Sequence, residues 1–264
     1  RPMYRNIGKF IKDLPSSPVV AAFSATVMQE DIPYITKSLR MKNPTVHIGK
    51  LKRSNLSLGK VFVKTEAIRY GKVKKAILKY ADKGKIVIYC TRVCDVEEMR
   101  DYLIEDCNIE ADEIAICHSK LSSRAKQEQR FRSGKARIMI ATSAFSMGID
   151  VSDIELVVHF NAPISMTDYI QQIGRAGRDE RKAHCVLFYD QNGDDDTISN
   201  SFIKKAKKQS AKAAKIIKAK LNQVHDFIHS DSCMVCDILE YQGQHETKTC
   251  KRCTVCAQKR RNSK

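Results

Sequence analysis

No stretch of this 264-residue chain approaches the ~18 consecutive apolar residues that a membrane-spanning helix needs, so a spanning helix is not expected. The opening RPMYRNIGKF has no hydrophobic core of a secretory leader, which points to a cytoplasmic protein with reduced cysteines. The phosphate-cradling pattern G-x-x-x-x-G-K-[ST] is also missing. In the β-rich stretch 45–65 the nearest approach is Gly49-Lys50, but Pro44 stands at the earlier glycine position and Leu51 at the hydroxyl position. The pair Asp112-Glu113 precedes an apolar strand instead of ending one, so it does not supply the acids that hold a nucleotide's metal. There are no internal repeats, and His225, His229 and His245 do not fall at metal-ligand spacing.

Negative charge is the next scarcity. Lys and Arg exceed Asp and Glu by 47 to 30, giving +17 and an isoelectric point near 9.5. A globular protein this basic commonly meets a polyanion, most often nucleic acid. Residues 197–264 hold 15 Lys/Arg against 5 Asp/Glu, and so carry +10 of the +17. Lys204, Lys205, Lys207, Lys208, Lys212, Lys215, Lys218 and Lys220 fall in that run. A solvated helix face accounts for part of it, and a phosphate-facing surface accounts for it better.

Between these features lies an alternation. Apolar strands are predicted at 85–90, 114–117, 136–142, 154–160 and 183–189, with helices at 94–106, 122–132 and 165–173 between them. Upstream, a helix over 31–43 should stop before Pro44, 45–65 reads as β-rich, and a helix over 70–82 should be capped by Gly84. Strand–helix alternation with continuously apolar strands predicts an α/β fold, a parallel sheet with helices on both faces. After Tyr189 the texture changes to a polar hinge or loop, DQNGDDD, then a Lys/Ala-rich helical stretch over 198–229, a cysteine cluster and the basic tail QKRRNSK. A domain boundary is expected near 195.

In an open parallel sheet, ligands bind beyond the carboxyl ends of the strands. Ser24-Ala25-Thr26, the run from Ala141-Thr142-Ser143 to Gly148-Ile149-Asp150, and the segment after Phe160 fall at such ends. Gln172-Ile173-Gly174-Arg175-Ala176-Gly177-Arg178-Asp179 closes a helix with two arginines on a glycine-bounded turn, an arrangement suited to stabilising an anion. An arginine finger contributes about 10³–10⁵ to phosphoryl-transfer rates. A surface turn with structural arginines is the plainer alternative.

The segments SAT (24–26), IYCTR (88–92), ATSAFSMGID (141–150) and QQIGRAGRD (171–179) resemble motifs III to VI of superfamily-two helicases. The wording AFxMGID, VVHFNAP, YIQQIGRAGRD and VLFYD is most similar to the RecQ family of ATP-dependent DNA helicases. That resemblance implies a remnant of a first RecA-like motor domain (1–44), a second RecA-like domain (45–195) and a small helical zinc-binding domain with a basic tail (196–264). It further implies that Arg175 and Arg178 reach the γ-phosphate of ATP with its Mg2+, Arg178 as the finger. Gln172 would support that turn, and Gly148 and Asp150 would face the nucleotide. Thr91, Arg92, Thr142 and Ser143 would line the single-strand DNA track, while Ser24 and Thr26 would couple nucleotide state to DNA grip. The expected partners are ATP, single-stranded and partly duplex DNA, and the missing first motor domain. Without that domain the chain is expected not to hydrolyse ATP.

Four departures from the family stand out. The chain has Cys117-His118-Ser119-Lys120-Leu121 where the family shows YHAGL, Ser146 where it shows glycine, Gln172 where it shows glutamate, and Glu180 where it shows glycine.

Five cysteines crowd into Cys-x2-Cys-x13-Cys-x2-Cys-x2-Cys over 233–256, a pattern suited to tetrahedral Zn2+. An iron–sulfur cluster or a disulfide framework are the alternatives. Spacing alone would pair Cys233 with Cys236. The RecQ resemblance implies Cys233, Cys250, Cys253 and Cys256, with Cys236 a helix residue one turn on. Two other functional readings are a non-catalytic, zinc-stabilised nucleic-acid-binding module, which would have no use for the intact GRAGRD, and an RNA helicase, which the trailing cysteines disfavour.

Overall fold

The computed structural model describes residues 6–24, 27, 31–49, 51–80, 84–146 and 151–263. Two short helices come first, α1 (Ile7–Lys12) and α2 (Ile32–Ser38). Helix α2 ends well before the expected Asn43. Arg40 takes a left-handed φ of 55°, while the N–H groups of Arg40 and Met41 return to the carbonyls of Lys37 and Thr36, a terminating motif normally given to glycine.

The main body then runs β1 (Leu56–Val63), α3 (Glu66–Lys79), β2 (Lys85–Tyr89), α4 (Val93–Glu105), β3 (Ile114–Cys117), α5 (Arg124–Arg132), β4 (Ile138–Ala141), β5 (Ile154–His159), α6 (Met166–Ile173) and β6 (Ala183–Asp190). The six strands form one sheet in the order β1-β6-β5-β2-β4-β3, every pair parallel. This is the predicted RecA-like α/β architecture. Among the described residues of the β-rich stretch 45–65, β1 is the one strand. Helix α3 begins four residues before the predicted start because Thr65 caps it, its hydroxyl accepting from the Ile68 N–H at 3.3 Å. Gly84 does not cap that helix. A Cβ there would stand 2.8 Å from the Glu155 side chain, so its smallness serves the entry into β2.

Side chains alternate between two cores with the strand period of two. Ile86, Ile88, Ile138, Ile140, Leu156 and Val158 face one side and are covered by Val73 and Ile77 of α3 and by Val96, Met99 and Leu103 of α4. Val87, Tyr89, Met139, Val157, Cys185 and Leu187 face the other, under Phe131 of α5 and Tyr169 of α6.

That second core continues into the C-terminal helices α7 (Asp194–Gln209), α8 (Ala211–His229), α9 (Met234–Tyr241) and α10 (Thr254–Asn262). Val224, Phe227, Ile228, Met234, Ile238 and Val255 belong to the same apolar cluster as Leu58 and Leu187. The single helical stretch predicted over 198–229 is two helices, because Ser210 leaves the helical region (φ −169°) and its hydroxyl caps α8 through the Ala213 N–H. The predicted hinge at 190–196 is tied down. Fully buried Arg69 of α3 sits 3.1 Å from Asp195, 3.3 Å from Asp194 and 3.5 Å from Asp190. Among the described residues no helix is long and apolar enough to cross a membrane.

Candidate nucleotide and nucleic-acid site, and a four-cysteine centre

Strands β5, β2 and β4 are neighbours at the middle of the sheet, so the segments that follow them meet at one edge. Thr91, just past β2, donates its N–H to Asn161 Oδ1 at 3.1 Å and its hydroxyl to the Ala162 carbonyl at 3.0 Å, locking the segment after β2 to the segment after β5. Thr142, past β4, turns the chain by accepting from the N–H groups of Ala144 and Phe145. Thr91, Ser143, Asn161, Asp168 and Gln172 line a cavity of about 30 Å³ there. The Asn161 amide nitrogen and His159 Nδ1 are buried, with no hydrogen-bond partner among the described residues. The segments that carry Thr91, Thr142 and Ser143 thus lie side by side at this edge.

Arg92 stands beside them, half-exposed, its guanidinium 2.5 Å from Asp95 and 3.8 Å from Asp194. The hydrogen bond to Asp95 holds its charge firmly. Ser24 is elsewhere. It lies in an extended, exposed segment and lines a separate, largely apolar cleft with Ile7, Ile35, Pro44 and Gln242. Thr26, Gly148 and Asp150 fall outside the described residues.

The turn that follows helix α6 carries the paired arginines. Ser165 caps it, accepting from the Asp168 N–H at 3.0 Å. Gln172 is buried, its Oε1 2.8 Å from His159 Nε2. Burial lowers the His159 pKa to about 4, so this imidazole is neutral. After α6, Arg175 turns inward with only 5% exposure, its guanidinium 5.6 Å from the Phe145 ring centre, whereas Arg178 is exposed. Both act on the Tyr89 phenol at the end of β2. Burial pushes its ionisation up, and the charges of Arg175 and Arg178 pull against it. The family resemblance implies that both guanidiniums reach the γ-phosphate. The structure gives them different settings, one packed at the strand ends and one in solvent.

The turn itself is clamped by residues that sequence reasoning missed. Arg53 donates to the carbonyls of Ala176 (3.2 Å) and Gly177 (2.6 Å), and Asn55 donates to that of Gly177 at 2.8 Å. Gly177 has φ 56°, and a Cβ there would lie 2.6 Å from the Arg181 carbonyl and from Asn55. No motif announces Arg53 or Asn55, which lie more than 120 residues earlier in the chain. Glu180, at the position where the RecQ pattern has glycine, also adopts a left-handed φ of 65°.

The acidic start of α7 buttresses this edge from behind. Asp195 accepts from the Ala162 N–H at 2.8 Å and the Asp190 N–H at 2.7 Å while paired with Arg69. Burial raises its pKa to about 6, against the pull of Arg69.

In the C-terminal module the sulfurs of Cys233, Cys250, Cys253 and Cys256 all lie within 4.8 Å of one another. A tetrahedron with metal–sulfur bonds of ~2.3 Å needs sulfurs about 3.8 Å apart, and Cys250 and Cys256 stand at 4.0 Å. Cys233 and Cys253 occupy the caps of α9 and α10. Backbone N–H groups of Cys250, Arg252, Cys253 and Cys256 point at cluster sulfurs at 3.2–3.5 Å, the arrangement that stabilises thiolates. At Cys233 burial pushes the thiol up, but N–H donors led by Cys250 outweigh it and bring the value to about 6. Cys236 lies outside the set, in the first turn of α9 with its sulfur toward the Lys248 carbonyl at 3.8 Å, and burial raises it to about 11. The four-cysteine donor set therefore fits a tetrahedral metal, and it is the set that the family resemblance implied rather than the pair that spacing alone suggested.

Comparisons with known proteins agree with this geometry. Residues 69–180 match the helicase conserved C-terminal domain. "ATP-dependent DNA helicase RecQ" of Bacillus subtilis is 32% identical over 263 residues, 98% of this chain and 42% of that protein. "Putative ATP-dependent RNA helicase R290" of Acanthamoeba polyphaga mimivirus is 29% identical over 97% of this chain and 45% of its own length. The chain thus spans less than half the length of these curated relatives. Among solved structures, S. cerevisiae Dbp5 bound to RNA and ADP BeF3 superposes with a TM-score of 0.57 at 20% identity, covering 82% of this chain and 61% of that one, which is a likeness of fold. The strand-end loops, the clamped arginine turn, the four-cysteine centre and these matches lead to one conclusion: the chain is a homologue of RecQ-type DNA helicases, with a helicase conserved C-terminal domain at residues 69–180.

Proposed function

We propose that this chain is the second motor domain and zinc module of an ATP-dependent 3′→5′ DNA helicase, and that it needs a first motor domain to hydrolyse ATP. The observation that supports the proposal is the turn 174–179, from which buried Arg175 reaches the Phe145 ring and the Tyr89 phenol near the ends of β4 and β2, with Arg178 exposed on the same turn. A nucleotide held by the first domain would meet Arg178 across the cleft. Its guanidinium would offset charge developing on the γ-phosphate and the Mg2+-bound oxygens. Arg175, packed on Phe145, supports the turn from within. Beyond the ends of β2 and β4, Thr91, Thr142 and Ser143 would offer hydroxyls and Arg92 a cation to the phosphates of a single strand. Closing and opening of the two motor domains would then move the strand. Gly148, Asp150 and Thr26 keep the nucleotide-facing and coupling roles that the family resemblance implies.

Cys233, Cys250, Cys253 and Cys256 would hold Zn2+, which supplies a structural cross-link between α9 and α10 when bound. The test is DNA-stimulated ATP hydrolysis by the chain alone and after addition of a first motor domain. Turnover only in the mixture, abolished by Arg178→Ala, is the expected result; turnover by the chain alone would overturn the account. The mimivirus relative's name keeps an RNA substrate as the second reading. Equal stimulation by matched RNA and DNA strands would favour it.

A further inference from the structure

Helices α9 and α10 open in the same way. Cys233 caps α9 and Cys236 is its third residue; Cys253 caps α10 and Cys256 is its third residue. In each pair the backbone N–H of the third residue points at the sulfur of the cap. Yet α10 gives both of its sulfurs to the four-sulfur set and α9 gives one, the fourth coming from Cys250. Cys236 therefore stands in α9 where a member of that set stands in α10, and its thiol is left outside.

That thiol is placed to react with its neighbour. Cys236 is half-buried, whereas Cys233, Cys253 and Cys256 are buried. Its side chain interacts with the Cys233 sulfur by hydrogen bonding and reaches the Lys248 carbonyl at 3.8 Å. With a Cα radius of ~2.3 Å and a rise of ~1.5 Å per residue, Cα atoms three residues apart on a helix lie about 5 Å from each other. A disulfide spans Cα separations of ~4.4–6.8 Å, so Cys233 and Cys236 can be bridged without unwinding α9. Cys253 and Cys256 have the same spacing, but bridging them takes two sulfurs from a bound metal, and bridging Cys233 to Cys236 takes one. The other cysteines belong to other parts of the fold: Cys90, Cys117 and Cys185 are buried in the two sheet cores, and Cys94 and Cys107 lie in and just after α4.

We propose that Cys233 and Cys236 are an oxidation site, a thiol pair that a low-molecular-weight disulfide closes, withdrawing one sulfur from the metal. This rests on the zinc reading of the four cysteines given above. The Cys236 sulfur, having given up its proton, attacks one sulfur of the small disulfide. A mixed disulfide forms, and the other half leaves as a thiolate that takes up that proton. The Cys233 sulfur then leaves the metal as a thiolate and attacks the Cys236 sulfur. The Cys233–Cys236 bond forms, and the second half departs as a thiolate, to be protonated by water. Two cysteine sulfurs are thereby oxidised to one disulfide, and the small disulfide is reduced to two thiols. Cys250, Cys253 and Cys256 remain where tetrahedral Zn2+ takes four donors, so the site lets the metal go. Excess thiol reverses each step, and the cluster follows the thiol–disulfide balance around it.

The test is an equilibrium one. The 264-residue chain, loaded with Zn2+, is held in a series of buffers of reduced and oxidised glutathione, with a chromogenic chelator reporting the Zn2+ released. Cys236→Ser and Cys236→Ala leave the four sulfurs intact and are run beside it, their Zn2+ content showing that they fold. Because the second sulfur is held within the chain, the unmodified protein should lose half of its Zn2+ in a glutathione ratio at least about tenfold more reducing than either variant needs. Alkylation of free thiols followed by peptide mass spectrometry should show Cys233 joined to Cys236, and dithiothreitol with added Zn2+ should restore the loaded state. Equal midpoints for the unmodified chain and both variants would overturn the proposal. So would a first-formed bond between Cys253 and Cys256 or between Cys233 and Cys250. Zn2+ retained after Cys233 and Cys236 have joined would overturn it as well and leave a metal site of other composition. If the unmodified chain takes up no Zn2+, the zinc reading falls and the switch falls with it.

Discussion

The two faces of the sheet are closed in different ways. One face is covered by α3 and α4, helices that leave and rejoin the sheet within a few dozen residues of the strands they cover. The other is covered partly by α5 and α6 and partly by α8, α9 and α10, which arrive only after the whole sheet has been built. The first face is a self-contained layer. The second is shared with a module whose four clustered cysteines lie more than 40 residues beyond the last strand, so a metal held there would help to keep this face closed.

The largest expected effect tests that dependence. From the sequence, 196–264 is expected to be a separate domain, with a boundary near 195. With Cys253 fully buried in the same core as Leu58 and Leu187, Cys253→Ala or chelation should open the second face as well. Structural zinc carries ~10–16 kcal/mol of apparent binding energy, so even a fraction of that should lower the urea midpoint of the entire chain and expose dye-binding apolar surface. Leu103→Ala, on the independent face, should cost about 2–5 kcal/mol with metal present and leave the chelator response of the remainder unchanged. A chelated protein that keeps the unfolding curve of the metal-loaded one would dissolve the contrast between the faces.

The next effect is on pH. His159 lies on the shared face and its folded pKa, about 4, is below the ordinary value of 6.5. Its neutral form therefore contributes stability that is complete above pH 6.5 and lost as pH falls toward 4, about 3 kcal/mol by linkage. Gln172→Glu restores the family's carboxylate next to the imidazole and should raise the His159 titration, flattening that dependence. Histidine resonances followed by NMR, with urea stability at pH 7.5 and 4.5, would show it. Identical pH slopes for the two proteins would rule the coupling out.

The smallest effect concerns the arginine turn. Glu180 sits at φ 65°, a conformation costing a non-glycine residue about 1–2 kcal/mol. Glu180→Gly should recover up to about 1 kcal/mol, part being offset by glycine's freedom in the unfolded chain. A loss of stability in thermal unfolding would show that the Glu180 side chain contributes more than the backbone strain removes.

The independent face was legible because its signals are local. KIVIYC and ARIMIAT read as buried strands, and Val96, Met99 and Leu103 recur at helical spacing. The shared face was legible only in pieces. Phe227 meets Tyr169 with ring centres 5.2 Å apart, and Tyr241 meets Thr167 at 3.1 Å, contacts with no trace in the local pattern of either segment. The Ser210 break was hidden because lysine and alanine favour helix on both sides, leaving one capping serine as the sole cue. Thr91, Thr142, Ser143 and Arg175 were singled out by family wording, and the structure places them near the ends of β2 and β4. Arg53, Asn55 and Arg69 were not, since their work is to hold backbone or carboxylates far along the chain. The choice of Cys250 over Cys236 needed the resemblance too, because Cys-x2-Cys spacing cannot distinguish a ligand from a residue one helical turn past it.

Gly59 lies in β1, where a Cβ would come within 3.2 Å of the Thr254 methyl, and the Lys60 N–H donates to the Thr254 hydroxyl at 3.1 Å. Strand β1 is the outer strand on its side of the sheet, eight residues long and rich in Leu, Val and Phe. An uncovered outer strand of this kind is a template for another chain to pair with. Thr254 opens the helix that follows Cys253, so a metal held by the four cysteines would also act as a guard against self-association. Its loss would free the backbone of β1 to recruit a second molecule, and the metal-free protein would fail first by precipitating.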